Sequence, residues 1–358
     1  MLNHVGLQLS FPAKEFGSRS TVHNPQLTSI IIFPELILKS SKLVFFILFS
    51  AALAFGWGDD GHKIVNRAAV NAVPADMPAF FKAGIERIVY IGPEPDRWRE
   101  KLEAQLKYSQ EPDHFIDLER VSDLGELPES RYEFIKLLYA KRARATENPD
   151  DFLPERVGFQ PYIALEVYGR LKVAFREYRK AKAAGQPTAE AEQNALFYAG
   201  WLGHYVADAS NPLHTSIQYN GWVGPNPNGY TTAKIHWPFE SDMVTRNLDF
   251  MSAIGPMVSA SKPLENPFRD YIAYLESSNK LVEPLYQLEK KGDFNNGGND
   301  EGKNFVRARL AAGAQMLANM YYTCWIESEK MPEPYKPETP APPTVKPNAP
   351  TGMKVKVN

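Results

Sequence analysis

The chain has 358 residues, 44% of them apolar and 12% aromatic, which is enough to bury one large core or two ordinary ones and excludes disorder throughout. Formal charge is −2; without the first 56 residues, which hold four basic and two acidic groups, it becomes −4, and this argues against a basic surface that grips duplex DNA. A single cysteine, Cys324, allows neither an internal disulfide nor a thiolate-based zinc site, and its apolar helical surroundings suit a buried inert thiol.

Taken in order, the chain opens with a leader. Lys39 and Lys42 precede the apolar run 43–52, LVFFILFSAA, which has the length of a signal-peptide core and is too short to span a bilayer. Ala54 and Gly56 put small residues where a signal peptidase reads, so cleavage after Gly56 would make Trp57 the new N-terminus and send the protein to the periplasm or outside the cell. The competing reading, an uncut anchor, would hold the following WGDDGH against the membrane. Residues 1–38 fit no leader pattern, as expected of a start site assigned too far upstream.

Residues 57–330 are expected to form one all-α domain, a multi-helix bundle. In WGDDGH, Gly58 and Gly61 give the backbone freedom to fold a free terminus back onto a shared site. Helices are predicted over 64–73 and 77–91, separated by Pro74, and are followed by a proline-rich loop, GPEPDRWR, that holds Asp96 and Arg99. PDHFIDL then places His114 beside Phe115 and Asp117. Amphipathic helices follow over 130–145 and 161–184; in the second, Ile163, Val167, Leu171, Phe175 and Tyr178 recur every three or four residues.

The helix predicted over 189–209 needs apolar surroundings on nearly all sides and belongs at the centre of the bundle. On it His204 and Asp208 stand one turn apart and share a face. Asn211 and Pro212 stop it, which leaves His214 on the turn beyond. The loop 219–230 is rich in Gly, Pro and Asn and offers Trp222 and Tyr230 to a ligand, and after it His236 and Glu240 recur at helical spacing. Two more long helices are predicted over 268–291 and 302–330. Residues 331–358 read as a proline-rich flexible tail, and period-two strand patterns are nearly absent.

Of seven histidines, five fall after the leader: His62, His114, His204, His214 and His236, each close to a carboxylate or in the terminal motif. Imidazole and carboxylate are ligands that zinc accepts, and these donors suffice for more than one ion. The plain alternative is a set of satisfied polar pairs, with Phe115 as ordinary core packing.

Together these motifs resemble the zinc-dependent phospholipase C and nuclease (S-one/P-one type) superfamily over most of residues 57–328. The resemblance implies three zinc ions in a helical bundle. Asp96, His114, His204 and Asp208 would hold the first, His214, His236 and Glu240 the second, and the amine and carbonyl of Trp57 with His62 and a bridging Asp208 the third. Two ions that share a carboxylate can share a water, lower its pKa toward ~7 and turn hydroxide on phosphorus. Asp96, Arg99 and Asp208 would carry the chemistry, with Arg99 steadying the phosphate.

Within the superfamily, WGDDGH, DRWR and HFID look like the nuclease branch, in which Phe115 would stack on a base and Asp117 would hydrogen-bond it. Two departures favour phospholipase C: Glu240 where nucleases usually have Asp, and IVNRA after His62, with Asp60 as a choline-binding acid. The expected function is therefore a secreted phosphodiesterase that acts on single-stranded DNA or RNA, with phosphatidylcholine-type lipids as the alternative substrate. A non-catalytic, zinc-stabilised binding protein is the third reading, and no stable protein partner is implied.

Overall fold

The computed structural model describes residues 57–330; the leader, its cleavage site and the proline-rich tail lie outside them. Among the described residues the fold is all-α, and only an isolated bridge between Tyr219 and Gly221 departs from helix, turn and loop. Its longer helices are α1 (Gly58–Ala72), α2 (Ile85–Ile91), α3 (Arg131–Arg142), α4 (Gln160–Ala183), α5 (Ala189–Asp208), α6 (Pro267–Asn279), α7 (Val282–Lys291) and α8 (Asp300–Glu327).

Helix α5 is the central member. From Leu202 to Asp208 every side chain on it is buried, and it packs along α4 on one side and against α1, α2 and α8 on the others. Two glycines permit this crowding: a Cβ on Gly203 would come within 2.1 Å of Asn66 Oδ1 on α1, and one on Gly200 within 2.5 Å of Ile91 on α2. The close crossing brings the rings of His62 (α1) and His204 (α5) into a stack with centroids 3.9 Å apart. The polar pair of α5 thus meets a third polar side chain from another helix.

Boundaries differ from the sequence expectation in three places. WGDDGH is no loose terminus: α1 begins at Gly58, with Asp59 and Asp60 in its first turn, where acids favour the positive end of the helix dipole. The helix expected over 77–91 breaks at Gly84, which separates Ala79–Ala83 from α2. The one expected over 268–291 breaks between Asn279 and Val282, because Pro284 has no amide for Lys280 and its ring crowds that carbonyl.

The loop 219–230 corrects another expectation. Trp222 and Tyr230 do not line the cavity beside the histidines; they pack with Tyr286 of α7, with ring centroids 4.8–5.7 Å apart, Tyr230 buried and Trp222 half-buried. Apolar contact with a neighbouring helix takes up the rings that sequence alone leaves available.

Candidate metal centre

Three short connections bring the remaining donors to the end of α5. Glu94–Arg97, a helical turn after α2, carries Asp96; the 3-10 turn Glu111–His114 carries His114; and Pro212–Thr215, a second 3-10 turn, carries His214. Glu240 sits on a π-helical turn, Pro238–Asp242, of a kind frequent at functional sites. Asp208 is the last residue of α5, where the helix dipole is negative, so its carboxylate needs positive charge beside it.

Among the described residues, three groups have donor atoms that all lie within 4.8 Å of one another: His62, His204 and Asp208; Asp96, His114 and His204; and His214, His236 and Glu240. Asp208 adjoins the second group as well, with Oδ2 3.1 Å from His114 Nδ1 and 3.3 Å from His204 Nε2. His62 Nε2 stands 3.6 Å from Asp208 Oδ1 and 3.7 Å from Asp96 Oδ2.

Hydrogen bonding fixes what these atoms are. His204 Nδ1 donates to Gly92 O at 2.8 Å, His214 Nδ1 to His114 O at 2.8 Å, and His236 Nδ1 to Tyr219 O at 2.8 Å. A neutral imidazole that donates through Nδ1 has a lone pair on Nε2. In their neutral, metal-binding form the Nε2 atoms of His214 and His236 would turn lone pairs on each other across 3.1 Å, with Glu240 Oε2 at 3.3 and 2.8 Å. Acceptors that converge without a proton between them repel unless a cation lies among them.

The atoms with no protein partner carry the same message. Both ring nitrogens of His62, Asp96 Oδ2, Asp208 Oδ1 and Glu240 Oε1 are buried and unsatisfied by protein groups. Orphaned buried oxygen and nitrogen are costly, and here they cluster at one place. The donor set of imidazole and carboxylate, with backbone carbonyls orienting the rings, fits zinc.

Charge in the metal-free protein points the same way. Burial, aided by the neighbouring His204, pushes the His62 imidazole well below its usual pKa, and burial with Arg99 does the same to His114. Burial raises Asp96. It would raise Asp208 too, but the imidazoles of His214 and His204 overcome it and hold that carboxyl well below the ordinary range. Burial lowers His214, yet Asp208 and Glu240 outweigh it and push the imidazole up to about 9. The cluster attracts cations, and protons compete with metal for it.

The other expected site residues are placed as follows. Arg99 donates to Asp96 Oδ1 at 2.5 Å and lines a cavity of about 670 Å³ that also reaches His114, His214 and His236. Phe115 and Asp117 line this cavity farther along, with Tyr108, Arg120, Asp151, Glu155 and Arg156, which sequence reading did not single out. Asp60 is not among its lining residues; its nearest charged neighbour is Lys63, at 3.7 Å. The Trp57 indole is fully buried and donates to Ala207 O at 2.8 Å and Ser210 Oγ at 3.0 Å; its carbonyl accepts from Gly61 N, and its amine adjoins the residues outside the described range.

No family model matches the chain. No curated protein sequence matches it either. Among solved structures it is similar to the alpha-toxin of Clostridium perfringens from avian strain SWCP, at 15% identity and a TM-score of 0.33. The alignment covers 76% of this chain and 64% of that one, so the chain spans less than two thirds of the toxin's length. The site's chemistry therefore stands on its own residues.

Asp117 gives a pH prediction. Burial, reinforced by Glu119 and Asp151 against Arg120, pushes its carboxyl up to about 7. A raised carboxyl pKa means that the folded state holds a proton the unfolded chain has released, so this group makes stability fall as pH rises from about 4 to about 7, and the cost persists above that. Asp117→Asn should stabilise the fold at about pH 8 by on the order of 1 kcal/mol, discounted for solvent in the cavity, and change little near pH 4. Thermal unfolding of both proteins at the two pH values checks this; equal midpoints at the higher pH would contradict it.

Proposed function

We propose that this chain is a secreted zinc-dependent hydrolase of phosphate diesters, a member of the phospholipase C and nuclease superfamily. The observation that carries the reading is the convergence of unpartnered buried atoms of His62, Asp96, Asp208 and Glu240 with the facing Nε2 atoms of His214 and His236, beside a cavity lined by His114, His214 and His236. A closed structural metal site, as in a zinc-stabilised binding protein, would not border so large a cleft.

Asp96, His114, His204 and Asp208 would hold one ion, His214, His236 and Glu240 a second, and His62 with Asp208 and the Trp57 main chain a third. Bound zinc would supply Lewis acidity and make water acidic enough to attack phosphorus at neutral pH. The chain does the rest. Arg99, on the cavity wall and hydrogen-bonded to Asp96, offers guanidinium N–H groups to a nonbridging phosphate oxygen while steadying the carboxylate. The carbonyls of Gly92, His114 and Tyr219 fix three imidazole rings before substrate arrives, so no reorientation is needed at the moment of reaction.

Two substrate classes suit the cleft. Phe115 and Asp117, both on its wall, suit a stacked and hydrogen-bonded base of single-stranded DNA or RNA. The lining also sets Glu111, Asp117, Asp151 and Glu155 against Arg99, Arg120 and Arg156. A wall with no basic excess is poor for a polyanion and suits a zwitterionic phospholipid head group, whose phosphate and ammonium both find partners. That balance is the specific support for phospholipase C activity.

One experiment separates the readings: zinc-loaded protein beginning at Trp57 is incubated with single-stranded DNA, single-stranded RNA and phosphatidylcholine micelles, each with a chelator control. Chelator-sensitive cleavage of nucleic acid assigns a nuclease, release of phosphocholine assigns a phospholipase C, and survival of every substrate with metal fully loaded would overturn the proposal.

A further inference from the structure

Asn211 first presents itself as a helix stop. In the fold it is fully buried and joined to three ligand-bearing residues at once. Its amide N donates to Asp208 O at 2.9 Å, and its carbonyl accepts from His214 N at 3.0 Å. Its side-chain Oδ1 accepts from Leu213 N at 3.0 Å, which caps the turn Pro212–Thr215 that carries His214. Its Nδ2 donates to Glu240 Oε2 at 3.1 Å, across 29 residues of sequence.

That last bond selects one face of one carboxylate. Glu240 Oε2 is the oxygen that faces the His214 and His236 Nε2 atoms, and Oε1 has no protein partner. A buried carboxylate on a flexible stem has several rotamers, and only those that place an oxygen between the two imidazoles complete the group. A donor held rigidly by the turn's cap removes that freedom in advance. The same residue fixes the turn under His214, so the two ligands are set relative to each other by a single side chain.

We propose that Asn211 is a positioning residue for the His214, His236 and Glu240 group: by holding Glu240 through Nδ2 it sets the affinity of that ion and leaves the other two unaffected. This rests on the metal-centre reading above. Loss of an outer hydrogen bond to a ligand typically weakens metal binding by about 10- to 100-fold.

The test uses Asn211→Ser. Serine caps helical turns well, so the bond to Leu213 N survives, but its side chain is too short to reach Glu240. Zinc is titrated into the full mature domain against a chromophoric chelator, alongside Glu240→Gln and the double variant, and the thermal midpoint of each metal-free protein is recorded.

Asn211→Ser is expected to weaken one ion by about 10-fold or more, with the others at wild-type affinity, while the metal-free midpoint falls only by what the loss of one buried hydrogen bond costs. In the Glu240→Gln background it should add almost nothing, because a residue that acts through Glu240 has nothing left to position. Wild-type affinity for every ion, uniform weakening with a lowered metal-free midpoint, or additive losses in the double variant would each overturn the proposal. Failure of the wild-type protein to bind zinc at all would instead overturn the metal centre on which it rests.

Discussion

Asp208→Asn abolishes turnover, by at least about 100-fold, and lowers the zinc content of the purified protein. Asp208 approaches two donor groups more closely than Asp96 does: Oδ1 faces His62 at 3.6 Å, and Oδ2 faces His114 and His204 at 3.1 and 3.3 Å, where Asp96 stands at 3.7 and 3.8 Å. An amide keeps the shape, so the helix end and its packing survive. It has no charge, however, and one of its two positions becomes an N–H₂ donor that points at a lone pair. The loss should appear in kcat with little change in KM, because Asp208 is not among the residues lining the cavity. Near-normal turnover with three ions retained would show that no shared carboxylate is needed.

Removing metal is the second large perturbation, and it acts on the fold. Asp96, Asp208, Glu240 and four of the five imidazoles are buried, and several of their atoms have no protein partner. Without a cation they face one another as like dipoles and charges in a medium that screens poorly. An ion bound a thousandfold below its free concentration stabilises the folded state by about 4 kcal/mol, and in a domain of this size that is a thermal shift of about 10 °C or more. A chelator should lower the midpoint by that amount, and added zinc should restore it. An unchanged midpoint, with metal shown by analysis to be gone, would mean that the cluster satisfies itself with protons.

Helical fold class, the central place of α5 and the donor residues were legible because each leaves a local mark. His204 and Asp208, or His236 and Glu240, are one turn apart, and Asn211-Pro212 ends a helix whatever surrounds it. The helix break at Lys280 was legible as well, through Pro284, but the apolar periodicity on both sides concealed it.

Other features leave no local mark. The carbonyls that orient three imidazoles belong to Gly92, His114 and Tyr219, and a main-chain oxygen has the same sequence signature everywhere. Asn211 reaches Glu240 only because two turns far apart in sequence meet at the end of α5. The cavity wall of Tyr108, Arg120, Asp151, Glu155 and Arg156 is likewise assembled from separate turns, and Trp222 and Tyr230 are withdrawn from it by α7. Residues whose roles depend on long-range approach need coordinates.

The most direct measurement is elemental analysis of the folded protein, purified with its N-terminus verified at Trp57 and dialysed against metal-free buffer. About three zinc ions per chain are predicted on the proposed assignment of the donors. A folded, monodisperse protein that retains less than one ion and takes up none when zinc is offered would contradict the account.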